Sequence, residues 1–335
     1  MSAPIAHGGA IAAAVARFGG TPDAWLDLST GINPCPPDLP VIPAEAWHRL
    51  PDRSLVEAAC EAARTFYGSG ALLPLAVPGT QAAIQLLPRL VGATKRAAVV
   101  WPTYGEYERS LAAAGLPVDR LDRPEDVDPD RHGLLVVVNP NNPDGRRYDA
   151  SLLEDVASRL GASDGLLVVD EAFADAESGA GLVPLVARHD NLIVFRSFGK
   201  FFGMAGVRLG FVFTRAERAA TMSDWLGPWS VSGPALAVAA VLLRADTRAL
   251  GAVISERHAG LRRVLETASL QIVGGTNLFV LVRHDNARGL YEHLCRHHIL
   301  TRPFDYAPTW LRFGLTPNET SEARLATALA AFGKS

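Results

Sequence analysis

The sequence predicts an α/β protein: a large domain with a mostly parallel central sheet flanked by helices, followed by a smaller α+β domain. Three observations carry this. From residue 70 onward, apolar runs of strand length alternate with helical patterns, the rhythm of a parallel sheet whose crossovers are helices. After about residue 220 that rhythm gives way to longer helices and widely spaced strands. The 335 residues, 48% of them hydrophobic, are also enough for two domains at roughly 150 residues each and for a sizeable core.

In chain order, strands of the first unit are expected at residues 97–101, 134–138, 166–170, 192–195 and 210–214, each β-branched-rich or uniformly apolar, as strands covered on both faces require. Helices are expected at 81–90, 105–114 and 151–160, the last opened by Asp149 as N-cap with Glu154 nearby. The second unit reads as helices at 234–244 and 247–267, a strand at 278–282, a helix at 287–298, a strand at 310–315 and a closing helix. No fixed repeat and no long polar linker interrupts the chain. The expected division is an N-terminal segment over the active site (1–40), a large domain (41–220) and a small C-terminal domain (221–335), with a cleft between the two domains.

Charge and cysteines exclude several classes of function. With 32 basic and 35 acidic residues the net charge is −3, so no global basic field attracts nucleic acid or an anionic membrane. The cysteines, Cys35, Cys60 and Cys295, are odd in number and far apart, which offers neither a disulfide framework nor metal-ligand spacing. No metal is expected. Arg17 is the single Lys or Arg in the first twenty residues, and no apolar run reaches the roughly 18 residues of a membrane span, so a cytoplasmic, unprocessed chain is expected. The 30 glycines and 23 prolines read as turns, densest in GINPCPP (31–37) and NPNNPDG (139–145).

Parallel sheets present ligands with the loops beyond the carboxyl ends of their strands, so chemistry should cluster where the apolar runs stop. It does. The run at 134–138 is followed by NPNNPDG, that at 166–169 by Asp170 and Glu171, and that at 192–195 by Arg196, Ser197, Phe198, Gly199 and Lys200. An acid at a buried strand tip needs a cationic or hydrogen-bonding partner to stay charged. Lys200 sits among Phe198, Phe201, Phe202 and Met204, apolar surroundings that lower an amine pKa and make it a nucleophile for carbonyls. A nucleotide phosphate loop around this lysine fails, because Val194 and Phe201 stand where Gly and Ser or Thr are required, and no dinucleotide G-x-G-x-x-G is present. Phosphate donors are offered instead by Gly79, Thr80 and Gln81 at the start of a helical pattern, with Ser197 and Arg208 able to complete the cradle.

The order of these phrases, Gly79, PTYGEY with Tyr104, NPNNPDG, DEAF at 170–173, and SFGK followed eight residues later by Arg208, resembles the fold-type I aminotransferase superfamily across nearly the whole chain. The resemblance implies pyridoxal phosphate as cofactor, bound mainly by the large domain. It assigns Lys200 as the Schiff-base lysine, Asp170 as partner of the pyridinium nitrogen, Asn142 as donor to the phenolic oxygen and Tyr104 as the stacking aromatic. Gly79, Thr80, Gln81, Ser197 and Arg208 would hold the cofactor phosphate, and Arg312 in LRFGL the substrate carboxylate. Two positions depart from the pattern: Phe173 replaces the Tyr that often follows DEA, and Leu50 precedes Pro51 and Asp52 where many relatives place a Tyr that reaches a neighbour's phosphate. A homodimer is implied by the family, without that marker.

The N-terminal His7-Gly8-Gly9, the amphipathic stretch after it and WLDLSTGINP (25–34), together with DEAF, are similar to the threonine-phosphate decarboxylase branch, which serves cobalamin biosynthesis and lies close to the histidinol-phosphate aminotransferases. That similarity implies a small phosphorylated amino-acid substrate, L-threonine O-3-phosphate, losing carbon dioxide to give (R)-1-amino-2-propanol O-2-phosphate. His7, Arg302 and Asn33 would hold the substrate phosphate while Arg312 and Asn142 constrain the carboxylate; Gly31 stands where relatives place Asn. The alternatives are an aminotransferase acting on histidinol phosphate and a ligand-sensing protein of the same fold without turnover. The latter should lack the lysine or carry a DNA-binding segment, whereas Lys200 is present and no helix-turn-helix of adequate length precedes residue 40.

Overall fold

In the computed structural model, which describes residues 7–92, 94–179 and 181–332, the chain begins with α1 (Ile11–Phe18), a two-residue strand β1 (Leu26–Asp27), α2 (Ala44–His48) and α3 (Arg53–Tyr67). The alternating region follows as β2 (Leu75–Val77), α4 (Thr80–Leu86), β3 (Arg96–Val100), α5 (Glu106–Ala113), β4 (Val118–Leu121), β5 (His132–Val138), α6 (Ala150–Gly161), β6 (Leu166–Asp170), β7 (Leu192–Ser197), α7 (Phe198–Phe201) and β8 (Gly210–Phe213). Then α8 (Ala216–Leu226), α9 (Gly233–Leu242) and α10 (Arg248–Thr267) lead to β9 (Gln271–Thr276), β10 (Phe279–Arg283), α11 (Ala287–Arg296), β11 (Ile299–Leu300), β12 (Arg302–Pro303), β13 (Trp310–Gly314) and α12 (Glu319–Phe332).

Seven strands form one sheet in the order β2-β8-β7-β6-β5-β3-β4, parallel except for β8, which runs antiparallel to both its neighbours. Every residue of β5 and β6 is buried, which is why, apart from His132 at the start of β5 and Asp170 at the end of β6, they run apolar with no polar alternation. Each fully buried Val or Leu there contributes about 1.5–3 kcal/mol of transfer free energy. Four further strands make a separate antiparallel sheet, β12-β13-β10-β9. Among the described residues no helix is long and apolar enough to cross a membrane.

Three local differences from the sequence-based expectation have identifiable causes. Asp149 precedes α6 with extended backbone, but its carboxylate caps nothing. The unforeseen α3 is capped by Asp52, which accepts from the Leu55 N–H at 3.0 Å, and is closed by Gly68 at φ 70°. Its small-residue face packs on the equally small-residue α9, and Gly233 lets α9 approach α2, since a Cβ there would lie 2.3 Å from the Ala46 carbonyl oxygen. Thus α9, although it follows residue 220, packs with helices of the first unit.

The N-terminal segment is fastened to the other unit. β1 pairs in parallel with β11; the Leu28 N–H donates to the Leu300 carbonyl at 2.7 Å, and the Gly314 N–H donates to the Leu28 carbonyl at 2.7 Å. Trp25, Cys295 and Leu300 pack under α1, and Arg324 donates to the carbonyls of Ala24, His297 and His298.

Candidate active site

Strand register turns several distant turns into one rim. Val138 lies opposite Asp170 and Asp170 opposite Phe195, so β5 and β6 end level and β7 runs two residues farther to the same edge. Because β8 returns against β7 with Gly210 opposite Ser197, and β2 ends with Val77 opposite Gly210, the turn after β2 arrives at the same edge. Gly79, Thr80, Gln81, Ser197 and Arg208 line one compartment of about 180 Å³. Tyr104, Asn142, Asp170 and Lys200 line it with them. Two glycines permit the approach: a Cβ on Gly79 (φ 77°) would stand 2.7 Å from the Arg208 guanidinium, and one on Gly210 would stand 2.9 Å from the Thr80 methyl. Arg208 itself holds φ 56°, a backbone state costing about 1–2 kcal/mol, which the surrounding turn maintains.

Asp170 is buried at the tip of β6. Its Oδ2 accepts from the Tyr107 hydroxyl at 2.7 Å and its Oδ1 from the Ala172 N–H at 3.0 Å. Burial pushes this carboxyl up, while those two bonds and the Lys200 charge pull it down. Burial also lowers the Lys200 amine, with Arg312 and Arg208 adding to the effect against Asp170, to about 8. Cofactor-free protein is therefore expected to trap the aldehyde of pyridoxal phosphate roughly tenfold faster at pH 9 than at pH 7 and to level off above, because most of the amine is then neutral. A lysine of ordinary pKa would keep gaining about tenfold per pH unit, and stopped-flow absorbance distinguishes the two profiles.

A larger cavity of about 580 Å³ opens from this compartment, sharing Tyr104, Asn142, Phe173 and Lys200 with it. His7, Arg109, Arg120, Arg302 and Arg312 line it, and Glu108 is the single carboxylate among its lining residues. Arg312 is buried; its Nη1 donates to Asn142 Oδ1 at 2.5 Å and its Nη2 to the Ser29 carbonyl at 3.0 Å, while its Nε finds no partner among the described residues. Burial, then the nearby Arg302, push this guanidinium down to about 10. Such a surplus of positive charge between apolar walls suits an anionic ligand.

The Asn33 side chain is engaged within the fold: its amide nitrogen donates to the carbonyls of Cys35 and Phe201, and its oxygen accepts from the Cys35 N–H. The tight Asn-Pro-Cys turn spends the side chain on its own backbone, and the Asn33 N–H is pinned to the carbonyl of Lys200 at 3.0 Å. The other candidate residues all line one cavity or both.

Residues 27–332 match the family described as aminotransferase class I and II. The chain belongs to this family. It is 56% identical to a threonine-phosphate decarboxylase of Sinorhizobium sp over 98% of its own length and 99% of that relative's, and 40% identical to one of Pseudomonas aeruginosa over 98% of each. Its fold is that of the histidinol-phosphate aminotransferase from Sinorhizobium meliloti, solved in complex with pyridoxal-5'-phosphate, at TM-score 0.77 and 19% identity, covering 98% of this chain and 94% of that one.

Phe173 and Gly31, expected from the sequence to differ from the family's pattern, pack against one another. Phe173 meets Phe279 edge-on at 5.1 Å, and a Cβ on Gly31 would lie 2.8 Å from Phe173 and 2.9 Å from Phe279. Gly31→Asn is expected to destabilise the protein by about 1–3 kcal/mol in urea unfolding, and Phe173→Leu in the same chain to recover part of that loss. Sequence reasoning passes over Tyr107 and Glu106, although both lie in PTYGEY. The usable signal is the pair of tyrosines three apart at the start of a helix, where both can face one site.

Proposed function

We propose that this chain is a pyridoxal-phosphate-dependent carboxy-lyase that converts L-threonine O-3-phosphate to (R)-1-amino-2-propanol O-2-phosphate and carbon dioxide, a step of cobalamin biosynthesis. The 56% identity over nearly the full length to a threonine-phosphate decarboxylase carries this reading. The cation-lined cavity beside Lys200 supports it, since the substrate brings a phosphate and a carboxylate.

The compartment fits the cofactor. Gly79 leaves room that a Cβ would fill against Arg208, and Thr80 and Ser197 add hydroxyls, so these residues would hold the phosphate. Asp170 would hold a proton on the ring nitrogen, its orientation set by Tyr107 and the Ala172 N–H. Arg312 already occupies Asn142 Oδ1, which leaves the Asn142 Nδ2 to donate to the phenolic oxygen. Tyr104 would stack on the ring face. Pyridoxal phosphate, when bound, supplies a protonated ring that accepts the electron pair of a bond broken at the substrate α-carbon.

Which bond breaks would be decided by how this chain anchors the substrate: Arg312 would grip the carboxylate while His7 and Arg302, which line the same cavity, would hold the phosphate, and two anchored points would restrict rotation about the α-carbon. Lys200 Nζ, neutral in part near pH 8, would hold the cofactor and carry the proton that replaces the lost carboxylate on the α-carbon. The experiment is to incubate loaded protein with threonine phosphate without a keto acid. Carbon dioxide and the amino-alcohol phosphate are expected; 2-oxoglutarate consumption with no gas would favour the aminotransferase instead.

The reading includes a homodimer acting in the cytoplasm. Leu39, Val41, Trp47 and Leu50 are exposed along one short stretch, at 69, 95, 63 and 64%, an apolar density suited to a second copy. Trp47→Asp is expected to shift the sedimenting species from dimer toward monomer. The free thiols Cys35, Cys60 and Cys295 fit a reducing compartment.

A further inference from the structure

Glu106, the first residue of α5, is an acid buried to 6% exposure beside a cavity built for anions, and the reaction as outlined does not use it. Its Oε1 accepts from His7 Nε2 at 2.9 Å and from Arg109 Nη1 at 3.3 Å, and its Oε2 accepts from Gln81 Nε2 at 3.3 Å. Gln81 in turn accepts from the Tyr104 hydroxyl at 3.1 Å. The carboxylate thus joins a residue of the phosphate turn, the stacking aromatic and the N-terminal segment. That segment is otherwise fastened to the other unit, and near its start the Gly9 N–H donates to Ser29 Oγ at 2.7 Å.

We propose that Glu106 is a positioning residue for the substrate phosphate: it clamps His7 through Nε2, drawing the N-terminal segment across the cleft and holding the imidazole at the cavity wall that it lines. The inference rests on reading that cavity as the seat of a phosphate ester. A carboxylate is required because all three partners present donors, and an amide would set an N–H against one of them. The positive end of α5 favours the negative charge at this position.

The test is a double-mutant cycle on cofactor-loaded protein, with binding of (R)-1-amino-2-propanol O-2-phosphate and of the unphosphorylated amino alcohol measured by calorimetry. Glu106→Gln and His7→Ala are each expected to weaken the phosphate about tenfold and to leave the amino alcohol within about twofold; the double variant should match His7→Ala. Losses that multiply in the double variant, or equal weakening of both ligands, overturn the proposal. Should the Gln variant fail to fold, Glu106→Asp takes its place, retaining the acceptors one methylene farther back and weakening only the phosphorylated ligand. Failure of the functional reading looks different: the wild type would release no carbon dioxide from threonine phosphate. The cycle would then be run with inorganic phosphate, for which the same pattern is expected and the same departures count against Glu106.

Discussion

Lys200→Ala is expected to lower carbon dioxide release about 10⁴-fold while leaving the fold intact. The amine is buried where burial and two arginines hold it near 8, so it is the side chain in the compartment equipped both to attack an aldehyde and to carry a proton at working pH. The phosphate cradle of Gly79, Thr80, Ser197 and Arg208 does not involve the lysine side chain, so the variant should still bind the cofactor reversibly. Borohydride treatment followed by intact-mass measurement separates the two functions: wild type should gain the mass of the cofactor and Lys200→Ala should not. Undiminished covalent attachment in the variant would mean that another amine holds the cofactor.

Arg312→Lys is expected to reduce kcat/KM for threonine phosphate by about 10²- to 10³-fold, although the charge is conserved. The guanidinium has three simultaneous tasks: it bonds Asn142 Oδ1, bonds the Ser29 carbonyl, and keeps an Nε unpartnered among the described residues and further N–H groups for a carboxylate. A lysine supplies one point of charge and cannot satisfy all three directions. Asn142 would lose the bond that sets which end of its amide faces the compartment, so the bound cofactor's absorbance should shift as well. Steady-state carbon dioxide release and a visible spectrum measure both effects. A Lys variant within threefold of wild type would show that the carboxylate is gripped elsewhere.

Much of this site is legible in the sequence because strand-end chemistry is local. Asp170 follows four buried residues on β6, Lys200 lies three residues beyond the end of β7, and Asn142 lies four beyond β5, so each is placed by its own strand once the strands are recognised. Arg208 and Gly79 are harder, since they meet only because β8 reverses direction and brings Gly210 between Ser197 and Val77. Asn33 shows the limit from the other side: its residue type suits a phosphate, yet its own turn and the distant Phe201 carbonyl engage its polar atoms.

The sequence by itself determined the α/β architecture and the strand ends where polar residues gather, because apolar runs, turn chemistry and strand-end position all act over a few residues; the cofactor class came from the resemblance of its ordered motifs to a family. Only the tertiary structure decided that Gly31 and Phe173 pack against one another, that α9 packs on α3, and that Glu106 takes hold of His7. These depend on contacts between residues roughly 100 or more positions apart. Their register is set when whole sheets and helices pack, and no local pattern of side chains encodes it.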